Sequence, residues 1–108
     1  TILKTSTGGI VNISKNANIY DNLYYLNQNY PNPFNPISKI KYHVPKNEFV
    51  SLKIFDINGN VVSLLVNSKQ NSGIYEVEFN GSNYSSGIYF YKLESGNFSE
   101  TKKMLLIK

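Results

Sequence analysis

The 108-residue chain has room for one domain, and its lack of cysteine excludes disulfide bonds, thiolate nucleophiles and cysteine-ligated metals. The net charge is +4, yet all 11 basic residues are lysine, whereas nucleic-acid readers use arginine for bidentate contacts to guanine and phosphate. No apolar run reaches the length of about 18 residues that a membrane-spanning helix needs, so we expect neither a nucleic-acid partner nor a transmembrane segment.

The amino-terminal part of the chain shows no regular pattern. A turn signal at Thr7-Gly8-Gly9 and a polar stretch over residues 14–18 separate short strand-like runs. We interpret residues 1–25 as a linker or the tail of an upstream domain, and the chain, which starts at Thr1, as a processed piece or a fragment. Residues 18–28 could form one edge strand.

Three prolines then fall within six residues, in the lead-in segment Asn29-Tyr30-Pro31-Asn32-Pro33-Phe34-Asn35-Pro36. Each proline fixes φ at about −65° and removes a backbone donor, and each residue before a proline is pushed away from helix. The segment can therefore be neither a helix nor a central strand. We predict a rigid, extended boundary to the domain of residues 26–108, with the rings of Tyr30 and Phe34 packed onto the end of that domain.

From Ile37 onward, apolar and polar residues alternate with the period of two that indicates half-buried strands. Val61 to Val66 is nearly all apolar, so we expect this strand to be covered on both faces, and Phe98 to Lys108 forms the last strand. The pattern predicts an all-β, immunoglobulin-like antiparallel β-sandwich of about seven strands. The alternating inward sets are Ile40, Tyr42 and Val44; Val50, Leu52 and Ile54; Tyr75, Val77 and Phe79; and Tyr89, Tyr91 and Leu93.

Turn residues separate these strands. Asn58-Gly59 predicts a hairpin with a type I′ turn, because both central residues of that turn need positive φ. A polar loop over residues 67–73 ends at Gly73, and a turn-rich connection over residues 80–87 ends at Gly87. We assign structural turn roles to Asn58, Gly59, Gly73 and Gly87.

One stretch resembles the start of a calcium-binding loop. Asp56, Asn58 and Asn60 match its first positions, but Val61 stands where glycine is needed and Asn67 where a bidentate glutamate is needed. A hairpin turn is the favoured interpretation.

The remaining polar candidates do not predict catalysis. Glu76 and Glu78 share one face of a strand, as a glycosidase pair would, but they alternate with apolar residues and so are expected on the solvent face. His43, the only histidine, is expected to be exposed and has no second histidine with which to form a metal site or a triad. We therefore predict no catalytic, cofactor or metal site, and no enzyme.

The tyrosines have two possible roles. Seven of them could line a sugar-binding platform, although most alternate as core residues do, and Tyr89 is placed as in a tyrosine corner. The seven are Tyr24, Tyr25, Tyr30, Tyr75, Tyr84, Tyr89 and Tyr91.

The carboxyl terminus also has two possible roles. Lys102-Lys103-Met104-Leu105-Leu106-Ile107-Lys108 is either a last strand flanked by lysines or a recognition tail that can add to another protein's sheet.

Four stretches in order resemble the type A C-terminal sorting domain of the type IX secretion system of Bacteroidetes and related bacteria. They are the lead-in segment, residues 50–59 (VSLKIFDING), residues 86–91 (SGIYFY) and residues 102–108 (KKMLLIK), and Gly73 also fits. The resemblance covers about residues 26–108.

This resemblance implies a seven-stranded sandwich that directs an attached cargo protein, fused upstream, through the periplasm and across the outer membrane. The translocon would recognise it chiefly through Lys102 to Lys108, and a sortase-like peptidase would then remove it within residues 14–28, leaving the cargo at the cell surface or outside the cell. The alternative is a structural or carbohydrate-binding accessory domain of immunoglobulin or fibronectin type, which need not end in such a tail.

Overall fold

The computed structural model describes residues 23–108, and over this range it contains seven strands and no helix. The strands form two antiparallel sheets, with the orders β1-β2-β5 and β4-β3-β6-β7. The predicted all-β sandwich is confirmed, while the expectations for residues 1–22 lie outside the described residues. The strands are β1 (Tyr25–Leu26), β2 (Ile37–Val44), β3 (Glu48–Phe55), β4 (Val61–Gln70), β5 (Gly73–Asn80), β6 (Gly87–Ser95) and β7 (Phe98–Leu106).

The core lies between the two sheets and is built from the alternating positions. The inward residues of β2, β3 and β6 are buried as predicted, while Tyr75 and Val77 of β5 are half-buried. Burial of each large apolar side chain contributes about 1.5–3 kcal/mol, so these positions fix the register of every strand. Five further residues complete the core from outside this set: Leu26, Phe34, Val66, Met104 and Leu106.

The prediction that the strand Val61 to Val66 is covered on both faces is wrong. β4 lies at the edge of its sheet, and its side chains Val61 and Leu64 are 53% and 49% exposed. Two register shifts in its pairing with β3 break the simple alternation. β4 also continues to Gln70, so that the predicted polar loop shrinks to Asn71 and Ser72.

The prediction that His43 is exposed is also wrong. The imidazole is 7% exposed, because Tyr25 of β1 pairs with His43 and its ring stacks over the imidazole at 5.2 Å. His43 Nδ1 also lies within hydrogen-bonding distance of the Leu23 carbonyl oxygen. β1, which lies upstream of the lead-in segment, thus covers a position that the alternation of β2 marks as outward.

The hairpin between β3 and β4 has a different turn from the one expected. The N–H of Gly59 donates to the Asp56 carbonyl, which makes Ile57 and Asn58 the central residues, and Gly59 follows at φ +86°. The Asp56 carboxylate accepts from the N–H groups of Asn58 and Asn60. Asp56 thus stabilises the turn with the oxygen that a calcium ligand would use. Gly73 and Gly87 are the first residues of β5 and β6.

Candidate functional site at the terminal strand

The last strand, β7, lies at the edge of the four-stranded sheet. It pairs with β6 along its whole length, from Ser95 opposite Phe98 to Gly87 opposite Leu106. One row of its backbone groups is therefore satisfied by β6, while the other row points away from the sheet. Such an unpaired row is where another strand can add.

Side chains of the terminal residues alternate between the core and the solvent. Met104 and Leu106 are 1% and 0% exposed, whereas Leu105 and Ile107 are 37% and 49% exposed. Lys103 and Lys108 are exposed, and Lys102 is half-buried with its Nζ 3.3 Å from a carboxylate oxygen of Glu100. The seven terminal residues of the sequence analysis are thus divided into core residues and a solvent-facing row.

The outer edge of β7 is closed at its carboxyl end by the lead-in segment. The N–H of Phe34 donates to the Leu105 carbonyl, and the N–H of Ile107 donates to the Phe34 carbonyl, both at 2.9 Å. The N–H of Leu105 donates to Asn32 Oδ1 at 3.1 Å. The lead-in segment therefore takes the place of a neighbouring strand beside Leu105 and Ile107.

Residues upstream of the lead-in segment follow the same edge. The Tyr24 ring stacks on Phe98, at the start of β7, with 4.8 Å between ring centroids. Further along, Gln28 Nε2 donates to the Lys103 carbonyl at 2.7 Å. Residues 24–36, which we call the strap, thus run parallel to β7 from its first residue to its last.

A buried tyrosine of the neighbouring strand holds the strap in place. The Tyr91 hydroxyl donates to the Asn27 carbonyl at 2.7 Å and accepts from the Asn29 N–H at 2.8 Å. Burial raises the pKa of Tyr91 to about 12, with a smaller rise from Glu100, although the hydrogen bond from Asn29 acts in the opposite direction. The neutral hydroxyl is the form that can both donate and accept here.

A buried polar network fixes the turn of the strap toward β2. Asn29 and Ser38 are 2% and 0% exposed, and Asn29 Nδ2 donates to Ser38 Oγ at 2.9 Å. Ser38 Oγ in turn donates to the Pro31 carbonyl at 2.9 Å. Buried polar groups are tolerated because they are paired in this way, and the pairing specifies one path for the proline-rich chain.

Phe34 anchors the end of the strap in the core. Its ring packs edge-on against Phe79 with 5.9 Å between centroids. Gly81 leaves room for this packing, since a Cβ there would lie 3.0 Å from a Leu106 methyl and 3.4 Å from the Phe34 ring. The N–H of Gly81 also donates to the Pro36 carbonyl at 2.7 Å. A larger residue at position 81 would require Leu106 and Phe34 to shift by a few tenths of an ångström.

The two aromatic rings of the lead-in segment have opposite environments. Phe34 packs on the sandwich as predicted, with 2% exposure, but Tyr30 is 80% exposed, so the prediction for Tyr30 is wrong. The backbone of Tyr30 exchanges two hydrogen bonds with Lys39, each of 2.9 Å. This bridge holds the main chain against β2 and leaves the ring in solvent.

The other polar candidates do not converge on one place. Glu76 and Glu78 are exposed and lie opposite Lys41 and Lys39 of β2. Within residues 23–108, no group of three histidine, cysteine, aspartate or glutamate side chains could hold a metal ion.

The tyrosines do not form a platform. Of the seven tyrosines proposed for one, Tyr30 alone is exposed, and the other six are buried or half-buried. The Tyr89 hydroxyl donates to the Ser85 carbonyl four residues upstream at 2.7 Å, as in a tyrosine corner.

Comparison with known protein families shows which family this chain belongs to. The family model described as secretion system C-terminal sorting domain matches residues 28–108. The chain belongs to this family. It therefore carries a C-terminal sorting domain of the type IX secretion system, as the sequence motifs indicate. A comparison with curated proteins finds no match. The described part of the sorting domain holds no helix of the length and apolarity needed to cross a membrane.

Three residues of the site were not predicted from the sequence. Gln28, Ser38 and Gly81 carry contacts to β7 or to the lead-in segment. Ser38 is in phase with the inward residues of β2, but its position does not identify its partners. The one available signal was the inward position of Tyr91, because a buried tyrosine hydroxyl needs a partner. Nothing local in the sequence identifies Asn27 and Asn29 as those partners.

Proposed function

We propose that the solvent-facing row of the terminal strand is the part of the sorting domain that the type IX translocon recognises. The observation that carries this proposal is the alternation at the terminus, which exposes Lys103, Leu105, Ile107 and Lys108 while Met104 and Leu106 are buried. The buried residues and Lys102 then support recognition indirectly, by holding the strand in its register. Two exposed apolar side chains between two lysines form a compact, amphipathic contact.

The strap limits how the translocon can contact the solvent-facing row of the terminal strand. Beside Leu105 and Ile107 the backbone edge is already occupied by Phe34 and Asn32, so another strand can add there only after the strap leaves. Side-chain recognition needs no such displacement. We therefore propose that first contact is made through the exposed side chains of the row, with the strap in place.

Membership of the family supports a proposal for the route of the cargo. We propose that a cargo domain fused upstream travels with the sorting domain through the periplasm to the outer membrane and the cell surface, and that residues 1–25 link the two. A sortase-like peptidase then removes the sorting domain, which has no chemistry of its own. We propose that cleavage occurs within residues 14–28. The backbone of Tyr25 and Leu26 is paired with β2, so cleavage at these two residues would first require β1 to separate from β2.

Export of a reporter protein tests the proposed function. The 108-residue chain is fused behind a signal peptide and a reporter, in a bacterium with a working type IX system. We expect the Lys103→Glu and Ile107→Asn variants to lower the extracellular reporter roughly tenfold, as the loss of a central contact does. The reporter is expected to accumulate in the periplasm instead.

Matched controls away from the terminal strand separate recognition from general surface effects. Lys46→Glu, in the exposed connection between β2 and β3, and Ile74→Asn, at an exposed position of β5, make the same chemical changes. We expect both variants to be exported within about twofold of the parent. Export of the Lys103→Glu and Ile107→Asn variants at the level of these controls would contradict the proposal.

A further inference from the structure

The outward face of the four-stranded sheet carries a continuous apolar surface. In one row across the strands, Val61 lies beside Phe55 and Phe55 beside Phe90, and in the next row Ile88 lies beside Leu105. The two phenylalanines are half-buried, while the aliphatic members are 37–53% exposed. We call this surface the apolar band; its members are Phe55, Val61, Leu64, Ile88, Phe90 and Leu105.

Lysines border the apolar band, and their placement is unfavourable for the isolated domain. Lys53 of β3 lies directly opposite Lys92 of β6, and like charges in such cross-strand pairs are destabilising. Glu94 is the one carboxylate among the outward positions of these four strands, and it lies 3.5 Å from Lys92. The lysines at outward positions are Lys53, Lys69, Lys92 and Lys103.

On the outward face of the other sheet, in contrast, positive and negative charges are paired. There Lys39 lies opposite Glu78, and Lys41 lies opposite Glu76, which is the balanced pattern of a solvated surface. The two faces of one small sandwich thus differ in charge balance, although Ile37 and Ile74 are exposed apolar residues on the second face as well. An excess of one charge around exposed apolar residues marks an interaction surface.

We infer that the apolar band and its lysines form a docking surface for a protein whose apolar contact region is bordered by carboxylates. This inference rests on the proposed function and extends it, because Lys103 and Leu105 belong both to the terminal row and to this face. The recognised surface then reaches from the last strand across β6 and β3 to β4. Residues far from the terminus in sequence contribute to export.

Two other binding partners, a second copy of the chain and a lipid membrane, fit the surface less well. A second copy of the chain would bring lysines against lysines. A lipid interface takes up an apolar face to a depth of about 5–10 Å, whereas Phe55 and Phe90 are half-buried and only the four aliphatic members of the apolar band are exposed. A carboxylate-bordered protein surface matches both the lysines and these exposed aliphatic side chains.

Charge reversal at Lys53 gives the sharpest test, because it separates stability from recognition. Lys53→Glu places a carboxylate opposite Lys92, so we expect unchanged or higher stability but roughly tenfold lower export of the reporter fusion. Lys46→Glu, in the exposed connection between β2 and β3, makes the same charge change away from the face. We expect its export to stay within about twofold of the parent.

An apolar pair of variants tests the band itself. Leu64→Glu and Ile74→Glu each place a carboxylate on an exposed strand position, with original exposures of 49% and 63%, on opposite sheets. We expect Leu64→Glu alone to lower export about tenfold. If the Lys53→Glu and Leu64→Glu fusions are exported like their controls while export of the Ile107→Asn fusion is lost, the inferred docking surface is contradicted and the proposed function stands. If Ile107→Asn is exported too, the proposed function itself fails.

Two binding measurements on the purified 108-residue chain distinguish the occupants. Sedimentation with vesicles of phosphatidylethanolamine and phosphatidylglycerol measures lipid binding, and sedimentation equilibrium measures self-association. The inference predicts that the parent chain neither binds these vesicles nor dimerises through this face. Lipid binding or dimerisation that Leu64→Glu abolishes and Ile74→Glu preserves would overturn it in favour of that occupant.

Discussion

Phe34 and Leu106 form a parallel β-bridge that joins the lead-in segment to the end of the chain. Both side chains are buried, with exposures of 2% and 0%. The feature that opens the domain in sequence and the feature that carries its proposed signal are therefore neighbours in space. The strap is part of the terminal strand's environment, in addition to the boundary role that the sequence predicts for the lead-in segment.

The first prediction concerns the anchor of the strap. Phe34→Ala removes a buried ring and leaves a cavity beside Phe79, so we expect the free energy of unfolding to fall by about 3–5 kcal/mol. Tyr30→Ala removes an exposed ring of the same segment and should change it by no more than about 0.5 kcal/mol. Urea unfolding followed by far-ultraviolet circular dichroism measures both. Equal effects of the two variants would refute the assigned environments.

The second prediction concerns the alternation at the terminus. Leu106→Ala should cost about 2–5 kcal/mol, because Leu106 is fully buried against Phe34 and Gly81. Leu105→Ala should cost less than about 1 kcal/mol, since the side chain is partly exposed at the edge of the sheet. The same unfolding experiment gives both values, and a larger cost at Leu105 would mean that the register of β7 is shifted by one residue.

The third prediction concerns the link between Tyr91 and the strap. Tyr91→Phe leaves the buried Asn29 N–H without its acceptor, which costs about 1–3 kcal/mol. Hydrogen exchange over residues 27–36 should become faster than in the parent chain. Tyr89→Phe is the control, because its hydroxyl bonds to Ser85 and not to the strap. Unchanged exchange of the strap in Tyr91→Phe would show that Tyr91 does not hold it.

The fourth prediction is a loss of stability at alkaline pH. The pKa of Tyr91 is raised from 10.0 to about 12 by burial, so the folded state holds this proton more tightly than the unfolded chain does. Its contribution is complete below about pH 10 and is lost as the pH rises from about 10 to about 12. We expect a decrease of about 2–3 kcal/mol in the free energy of unfolding across that window.

Urea unfolding at a series of pH values tests this dependence. Tyr91→Phe cannot ionise at this position, so its stability should fall less steeply over the same window. Burial also raises the pKa of Tyr42, although its hydrogen bond to Gln70 acts in the opposite direction. Because Tyr42 still ionises in Tyr91→Phe, the free energy of unfolding of this variant should still fall somewhat with rising pH. Identical slopes in Tyr91→Phe and the parent would exclude Tyr91 as the source.

Local chemistry was enough to predict most strands and part of the site. Alternation in β2, β3 and β6 identified their inward residues, because one buried face imposes a period of two on each strand. The three prolines excluded a helix from the lead-in segment, and the four ordered motifs indicated the sorting-domain family that the comparison confirms.

Predictions failed where a neighbour from a distant part of the chain determines the environment. His43 is buried because β1 packs over it, and the apolar residues of β4 are exposed because β4 lies at a sheet edge. Neither neighbour can be inferred from a strand's own residues, because the alternation reports which residues share a face but not what covers that face.

The sequence by itself determined the fold class, the approximate positions of the strands and the family, because each depends on short-range patterns of residues. Only the tertiary structure brought the lead-in segment beside β7 and divided Lys102 to Lys108 into buried and exposed residues. The physical reason is that non-local backbone pairing and burial depend on which strands become neighbours in the sandwich. The contacts from Phe34 to Leu105 and Ile107, and from Tyr91 to Asn27 and Asn29, exist only once both sheets are assembled.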